Sequence, residues 1–298
     1  MGLHGMQQEN TQKERLLVLN SGGRTSAFMT EHLLKDYSDK YEMAICFANT
    51  GWEHPKTLEF VNKCDKRWGG NKIVWLEAVT HPGRVACTHK VVNYETASRN
   101  QEPFEEVIKK YGLPNKGYPH CTRELKENPI ESYLRALGWE KGSYKVALGI
   151  RVDEPKRIKR GLNKSNKQFR VYPLVDWFET DKIDVLDWWE DQEFDLQIPE
   201  WLGNCVGCFR KSNAKIVKVI RDEGEKALDF PATMETFYGH VGNNKINGVH
   251  VDEPRTIYRQ YMRVPDLIKM FNESDYAPKD DDLESNEGCS SSCEAFSN

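Results

Sequence analysis

The chain has 298 residues, enough for one large α/β domain or one domain with a smaller appendage. Its 38% hydrophobic and 11% aromatic residues supply a sizeable core and exclude wholesale disorder, while a formal charge of −4 argues against a dominant polyanion-binding surface. The first fifteen residues are polar and no stretch reaches the length of a membrane span, so a cytoplasmic chain without membrane contact is expected, its eight cysteines reduced rather than paired in disulfides.

Residues 15–20 read RLLVLN, a short apolar run of the kind that forms a buried parallel strand. A glycine-containing turn follows over residues 21–26, then a helical pattern carrying Ala27, Met29, Leu33 and Leu34. A second strand is predicted at residues 43–48, a polar turn at 49–53, and a helix from Pro55 to about Trp68, with proline suited to its first turn. A third strand spans residues 73–79; helices start near Pro103 and near Thr122, the latter running to Leu137 with Gly138 as its stop. A strand at residues 145–150 completes the series. Strands alternating with helices predict a doubly wound, Rossmann-like α/β fold with a parallel sheet of about five strands.

Beyond Val171 the pattern is helical and irregular, with Val185, Leu186, Trp188 and Trp189 read mostly as core and a late helix at about residues 256–271. The chain divides into a polar N-terminal segment 1–14, a nucleotide-binding domain 15–215, a helical C-terminal region 216–272 and a mobile acidic, Ser-rich tail 273–298.

Ser21-Gly22-Gly23-Arg24-Thr25-Ser26 lies between the first strand and the first helix, where doubly wound sheets bind ligands. Two glycines let the backbone approach a phosphate, the helix N-terminus offers N–H groups and a positive dipole end, and three hydroxyls add donors. The bland alternative is an ordinary strand–helix turn. Against it, Asn49-Thr50-Gly51 ends the second strand at the same sheet edge and could face the same ligand. The loop lacks the Gly-Lys-Ser/Thr ending of a Walker A motif and the spacing of a dinucleotide fingerprint.

The order SGGxxS resembles the PP-loop of ATP pyrophosphatases, the adenine nucleotide alpha-hydrolase-like superfamily, and of its phosphoadenosine-phosphosulfate (PAPS) reductase relatives. The turn Asn49-Thr50-Gly51-Trp52-Glu53, and the segments ETASR (95–99), HCTRELK (120–126) and GIRVDE (149–154), resemble stations of the PAPS reductase family, closest to its phage-encoded branch. The likeness covers roughly residues 15–215. It implies an adenine nucleotide (PAPS, adenylyl sulfate or ATP) held by Ser21–Ser26, Asn49, Thr50, Gly149, Arg151 and Asp153, with Arg157 as a second phosphate-binding arginine. Guanidinium groups suit oxyanions; Lys156, Lys159 and Arg160 read as a solvated face or as steering charges. Glu53, Asp153 and Glu154 could orient the nucleotide or a metal-bound water, or serve as caps.

Cys205-Val206-Gly207-Cys208 is a CxxC motif, read as metal ligands, a redox pair or two buried thiols, and Cys121 stands alone upstream. Cys46 reads as core, and Cys64 and Cys87 as structural. Assimilatory adenylyl-sulfate reductases bind a [4Fe–4S] cluster through a Cys-Cys pair and a later CxxC. The resemblance therefore implies a cluster on Cys121, Cys205 and Cys208, with His120 in place of the fourth cysteine or an open fourth iron; zinc on a Cys₃His set is the runner-up. The tail carries Cys289 and Cys293. By analogy with the mobile nucleophilic cysteine of PAPS reductases, either could attack a bound sulfonucleotide.

Three functions follow. The first is thiol-dependent reduction of PAPS or adenylyl sulfate to sulfite, with a thioredoxin-like electron donor. The second is ATP-dependent, iron–sulfur-dependent sulfur transfer to tRNA or DNA, with magnesium bridging the ATP phosphates. The third is a non-catalytic nucleotide-binding module. A homo-oligomer is compatible with each.

Overall fold

The computed structural model describes residues 13–162, 169–242, 245–246, 249–250, 252–258, 262–273 and 295–296. Strand β1 (Glu14–Leu19) is apolar on both faces because it is central: Leu16 and Val18 point into one core cluster, Leu17 and Leu19 into another, and all four are buried. Helix α1 (Arg24–Asp36) leads to β2 (Tyr41–Asn49), and α2 (Pro55–Arg67) leads to β3 (Ile73–Val79). Pro55 opens α2, and His54 Nδ1 accepts from Lys56 N at 3.1 Å as its cap.

The chain then turns back as β4 (Thr88–Val92), which pairs antiparallel with β3 at the sheet edge. Helix α3 (Glu102–Tyr111) follows. The helix expected from Thr122 is real but not uniform: a π-helical turn over Arg123–Glu127 precedes α4 (Asn128–Ala136). Gly138, at φ +73°, ends it as expected. Strand β5 (Lys145–Ala147), α5 (Pro155–Leu162) and β6 (Arg170–Val171) complete a six-stranded sheet of order β4-β3-β2-β1-β5-β6. All pairings but β3–β4 are parallel. The doubly wound α/β expectation holds, with one more strand than counted and one antiparallel edge.

The order reverses at β1. Its connection to β2 runs one way and β5 lies on the other side, so the turns after β1 and β5 part company there and open a crevice. Helix α6 (Pro173–Asp176) follows β6, and α7 (Lys182–Glu190), started by a reciprocal Asp181–Asp184 capping box, packs beside α1. Helices α8 (Asn213–Glu223), α9 (Asp229–Tyr238) and α10 (Val264–Glu273) form the helical C-terminal part. The last begins later than the expected 256, with Pro265 in its first turn. A small hairpin, β7 (Lys245–Ile246) with β8 (Val249–His250), precedes α10. Among the described residues no helix is long and apolar enough to cross a membrane.

Candidate nucleotide site and its cysteine neighbours

The loop after β1 is fixed by its own side chains. Asn20 Oδ1 accepts from Gly22 N at 3.0 Å, and Ser26 Oγ accepts from Ser21 N and donates to Gly23 O, each at 3.0 Å. Gly22 is at φ +80°, and a Cβ there would lie 2.7 Å from Thr57 Cγ2 and 3.1 Å from Phe47 Cε2. Gly23 is the N-cap of α1 and no side chain caps the helix, so its first amides are left to a ligand.

Ser21 to Ser26 line a cavity of about 560 Å³ together with Thr57, Gly149, Arg151, Asp153, Glu154 and Arg157. Gly149 lets β5's end pass close to Ser26, whose Cα would be 3.4 Å from a Cβ. Arg151 Nη1 donates to Thr25 Oγ1 at 3.0 Å, which places a guanidinium on the loop; Asp153 braces it at 2.9 and 3.1 Å. Burial pushes the Asp153 carboxyl up, but the hydrogen bond and charge of Arg151 outweigh it and hold the group below its ordinary value. Arg157 is buried and donates to Glu154 at 2.7 Å.

Arg24 lines the same cavity but its guanidinium is committed elsewhere. It forms a bidentate pair with Asp195 at 2.7 and 2.6 Å and also donates to Leu196 O. It ties the loop to the segment that forms another wall. That wall brings Lys182, Glu200, Asn204, Lys211 and Lys215 to the cavity, none of which local sequence patterns marked. Thr57 was missed too; its Oγ1 is buried and has no hydrogen-bond partner among the described residues, a donor suited to a bound oxyanion.

Asn49 and Thr50 do not line this cavity. Asn49 Nδ2 donates to Glu77 at 2.8 Å and to Ser98 O at 2.9 Å, and Thr50 bonds Glu53 through both N and Oγ1. They shape the turn after β2 that faces the thiols. Burial pushes the Glu53 carboxyl up, against the charge of Lys126 and the bonds from Thr50.

Cys121, Cys205 and Cys208 line one small cavity of about 20 Å³ with Thr50, Trp52, Phe104, Lys126 and Phe209. Cys205 Sγ lies 3.5 Å from Thr50 Oγ1. The CxxC loop pairs with the turn after β2 through Val206 N to Trp52 O, 3.0 Å. A Cβ on Gly207 would lie 2.6 Å from the Trp52 ring, which accounts for a glycine inside the motif. Asn204 lines the cavity at the Ser21–Ser26 loop and its neighbour Cys205 the thiol cavity, so one loop borders both. Lys126 lay within the HCTRELK segment, and the π turn gives it this place beside the thiols.

The thiol donors suit an iron–sulfur cluster or zinc chemically. Their arrangement does not: among the described residues no three His, Cys, Asp or Glu side chains are gathered as ligands of one metal ion. His120 is buried but does not line the thiol cavity; its Nδ1 is 3.2 Å from Tyr118 O and its ring packs on Tyr111 and Tyr118. Burial pulls its pKa down to about 4. Cys46, Cys64 and Cys87 are buried, and burial pushes the thiols of Cys46 and Cys87 up to about 12. Cys289 and Cys293 lie outside the described residues.

The family model for the phosphoadenosine phosphosulfate reductase domain matches residues 15–188, from β1 through most of α7. The chain belongs to the phosphoadenosine phosphosulfate reductase family. It is similar to the uncharacterized nin region protein ORF290 of Escherichia phage lambda, at 33% identity over 94% of each chain. An uncharacterized protein of Methanocaldococcus jannaschii is 26% identical over 54% of this chain and 33% of its own length. Family membership fits a nucleotide-binding, PP-loop-like enzyme domain, and the phosphate loop is intact in it.

Proposed function

We propose that this PAPS reductase-family chain binds the phosphate end of an adenine nucleotide in the Ser21–Ser26 cavity and reduces a sulfonucleotide, PAPS or adenylyl sulfate, to sulfite. The observation behind the reading is the cradle itself: uncapped α1, the Gly22 bend, and Arg151 held on Thr25 at 3.0 Å. Amides at the helix start and the guanidinium would neutralise the phosphate and stabilise it as a leaving group. Asp153 fixes the guanidinium plane, so little reorganisation is needed when charge develops.

In the reaction, a thiolate of Cys289 or Cys293 attacks the sulfonate sulfur. An S–S bond forms as the S–O bond to the nucleotide phosphate breaks, and AMP or adenosine 3′,5′-bisphosphate leaves. The second thiol attacks the sulfenyl sulfur, a disulfide forms, and sulfite departs with the electron pair; a thioredoxin-like dithiol returns the protein to its reduced state. Cys121, Cys205 and Cys208 share the small cavity next to the nucleotide site but are not gathered as ligands of one metal ion, so the reaction is assigned to the tail thiols alone.

A second reading has its own support: the complete SGGxxS loop beside a three-thiol cavity favours ATP-dependent sulfur transfer. There, ATP with magnesium would adenylate an oxygen of tRNA or DNA, releasing pyrophosphate, and a hydrosulfide donor would displace AMP. The deciding experiment uses the full chain purified anaerobically. Sulfite release from PAPS or adenylyl sulfate with thioredoxin, abolished in a Cys289→Ser/Cys293→Ser double variant, is expected. Undiminished sulfite from that variant removes the tail-thiol mechanism. Pyrophosphate from ATP with nucleic acid, and no sulfite, transfers the assignment to the second reading; tight nucleotide binding without either product leaves a non-catalytic module.

A further inference from the structure

The wall of the phosphate cavity supplied by residues after 181 holds a cation pair around a single carboxylate. Lys215, in the first turn of α8, has a side chain only 4% exposed, and its Nζ donates to Glu200 Oε1 at 2.8 Å. Glu200 Oε2 lies 3.9 Å from Nζ of Lys182, at the start of α7. Glu200 itself is 51% exposed. A buried ammonium thus depends on a carboxylate that stands half in solvent, at the start of a short 3₁₀ turn.

That asymmetry distinguishes this pair from the cavity's other cations. Arg24 is locked bidentately to Asp195 and Arg151 to Asp153, and buried Arg157 donates to buried Glu154. Lys211 is held by the carbonyls of Trp201 and Val206 and secures the wall. Glu200 can leave for water at small desolvation cost, whereas Lys215 stays buried and needs an anion in its place. Two lysines facing one displaceable carboxylate leave net positive charge for an incoming dianion.

We propose that Lys215 and Lys182 form a second anion subsite of the phosphate cavity, occupied by Glu200 in the absence of ligand and taken by a second phosphate of the same nucleotide. This rests on the nucleotide reading given above. The cavity, at about 560 Å³, lies within the ~300–1,000 Å³ span of single small-molecule sites, so both anionic groups belong to one ligand. The favoured ligand class is a nucleotide with two separated phosphates over a monophosphate. The second phosphate has two possible sources, a ribose 3′-phosphate or an extended 5′-polyphosphate.

Calorimetric titration of the full chain with AMP, adenosine 3′,5′-bisphosphate, ADP and ATP tests this. Either the 3′,5′-bisphosphate or the 5′-polyphosphates should bind about 10–100-fold more tightly than AMP, the worth of one or two charge-assisted hydrogen bonds. Preference for the 3′,5′-bisphosphate identifies the ribose phosphate, and preference for ADP and ATP the polyphosphate. The affinity ratio should collapse toward one in Lys215→Met, fall partly in Lys182→Met, and rise in Glu200→Gln. Because Lys215 is buried, its variant could misfold; the half-exposed Lys182 then decides. A wild-type ratio near one, or a ratio unmoved by Lys182→Met and by folded Lys215→Met, overturns the subsite while AMP binding keeps the nucleotide site standing. Failure to bind AMP at all removes the nucleotide reading and the subsite with it.

Discussion

Gly22 and Gly23 are neighbours with different reasons to be glycine. At Gly22 the backbone is left-handed and the Cβ space is filled by Thr57 and Phe47. At Gly23 φ is −102° and the nearest atom to a Cβ is Ser21 Oγ at 3.7 Å. Gly22→Ala should therefore lose about 2–4 kcal/mol from backbone strain and overpacking, with more than about tenfold weaker nucleotide binding. Gly23→Ala should stay within about 1 kcal/mol. Urea unfolding and AMP titration of both variants check this, and equal stability of the two would contradict the loop geometry. The loop was legible because its signal is local: glycines and hydroxyls at fixed spacing between a strand and a helix. The fate of Arg24 was not, because its partner Asp195 lies 171 residues away. Thr57, Glu200 and Lys215 were illegible for the same reason, since each becomes a site residue only through packing.

Helix α7 is the element that anchors the loop from outside the sheet. Trp189, 1% exposed, packs its ring on Phe60 at 4.8 Å and donates Nε1–H to Arg24 O at 3.0 Å. Trp189→Phe keeps much of the apolar contact but removes that donor and some volume, so a loss of about 1–3 kcal/mol is expected. Nucleotide affinity should drop as well, because the carbonyl it holds belongs to the first turn of α1. Titration calorimetry beside thermal unfolding separates the two effects, and unchanged affinity would mean that α7 supports the fold without aligning the loop. The sequence marked α7 through its apolar residues, of which Trp189 is core while Leu186, 42% exposed, lines the cavity instead. Strand β4 escaped notice because THKVV is short, polar on one side and at an antiparallel edge, where burial writes little periodicity into the chain. The π turn escaped because its residues keep helical spacing, and only the 5-residue hydrogen bond from Asn128 N to Arg123 O betrays it.

Across the whole molecule, the family match ends at residue 188, yet the core does not. Trp52, Phe104 and Leu125 pack in one cluster with Cys205, Cys208, Ile216, Leu228, Met234 and Leu267, so the C-terminal helices share one core with the residues that line the thiol cavity. The lambda phage relative, matched over 94% of both chains, extends the kinship through these helices. Glu235 of α9 is their internal tie. Its carboxylate, 2% exposed, accepts from Ile257 N at 2.9 Å and from Val264 N at 2.8 Å, joining α9 to the start of α10. Burial raises its pKa above the ordinary 4.5, against those two bonds and the charge of Arg263. The folded chain therefore binds this proton more tightly than the unfolded chain does. The resulting stability is complete below pH 4.5 and drains away as pH rises through the raised folded value. Glu235→Gln cannot ionise, and its amide leaves one backbone N–H facing a donor, at a cost of about 1–3 kcal/mol near pH 4.5. The gap between wild type and variant should narrow steadily as pH is raised toward 8, because only the wild type acquires a buried charge. Urea unfolding of both proteins at half-unit pH steps measures it. A gap that stays constant or widens over that range would mean that Glu235 is already ionised in its buried setting, with the two amides outweighing desolvation.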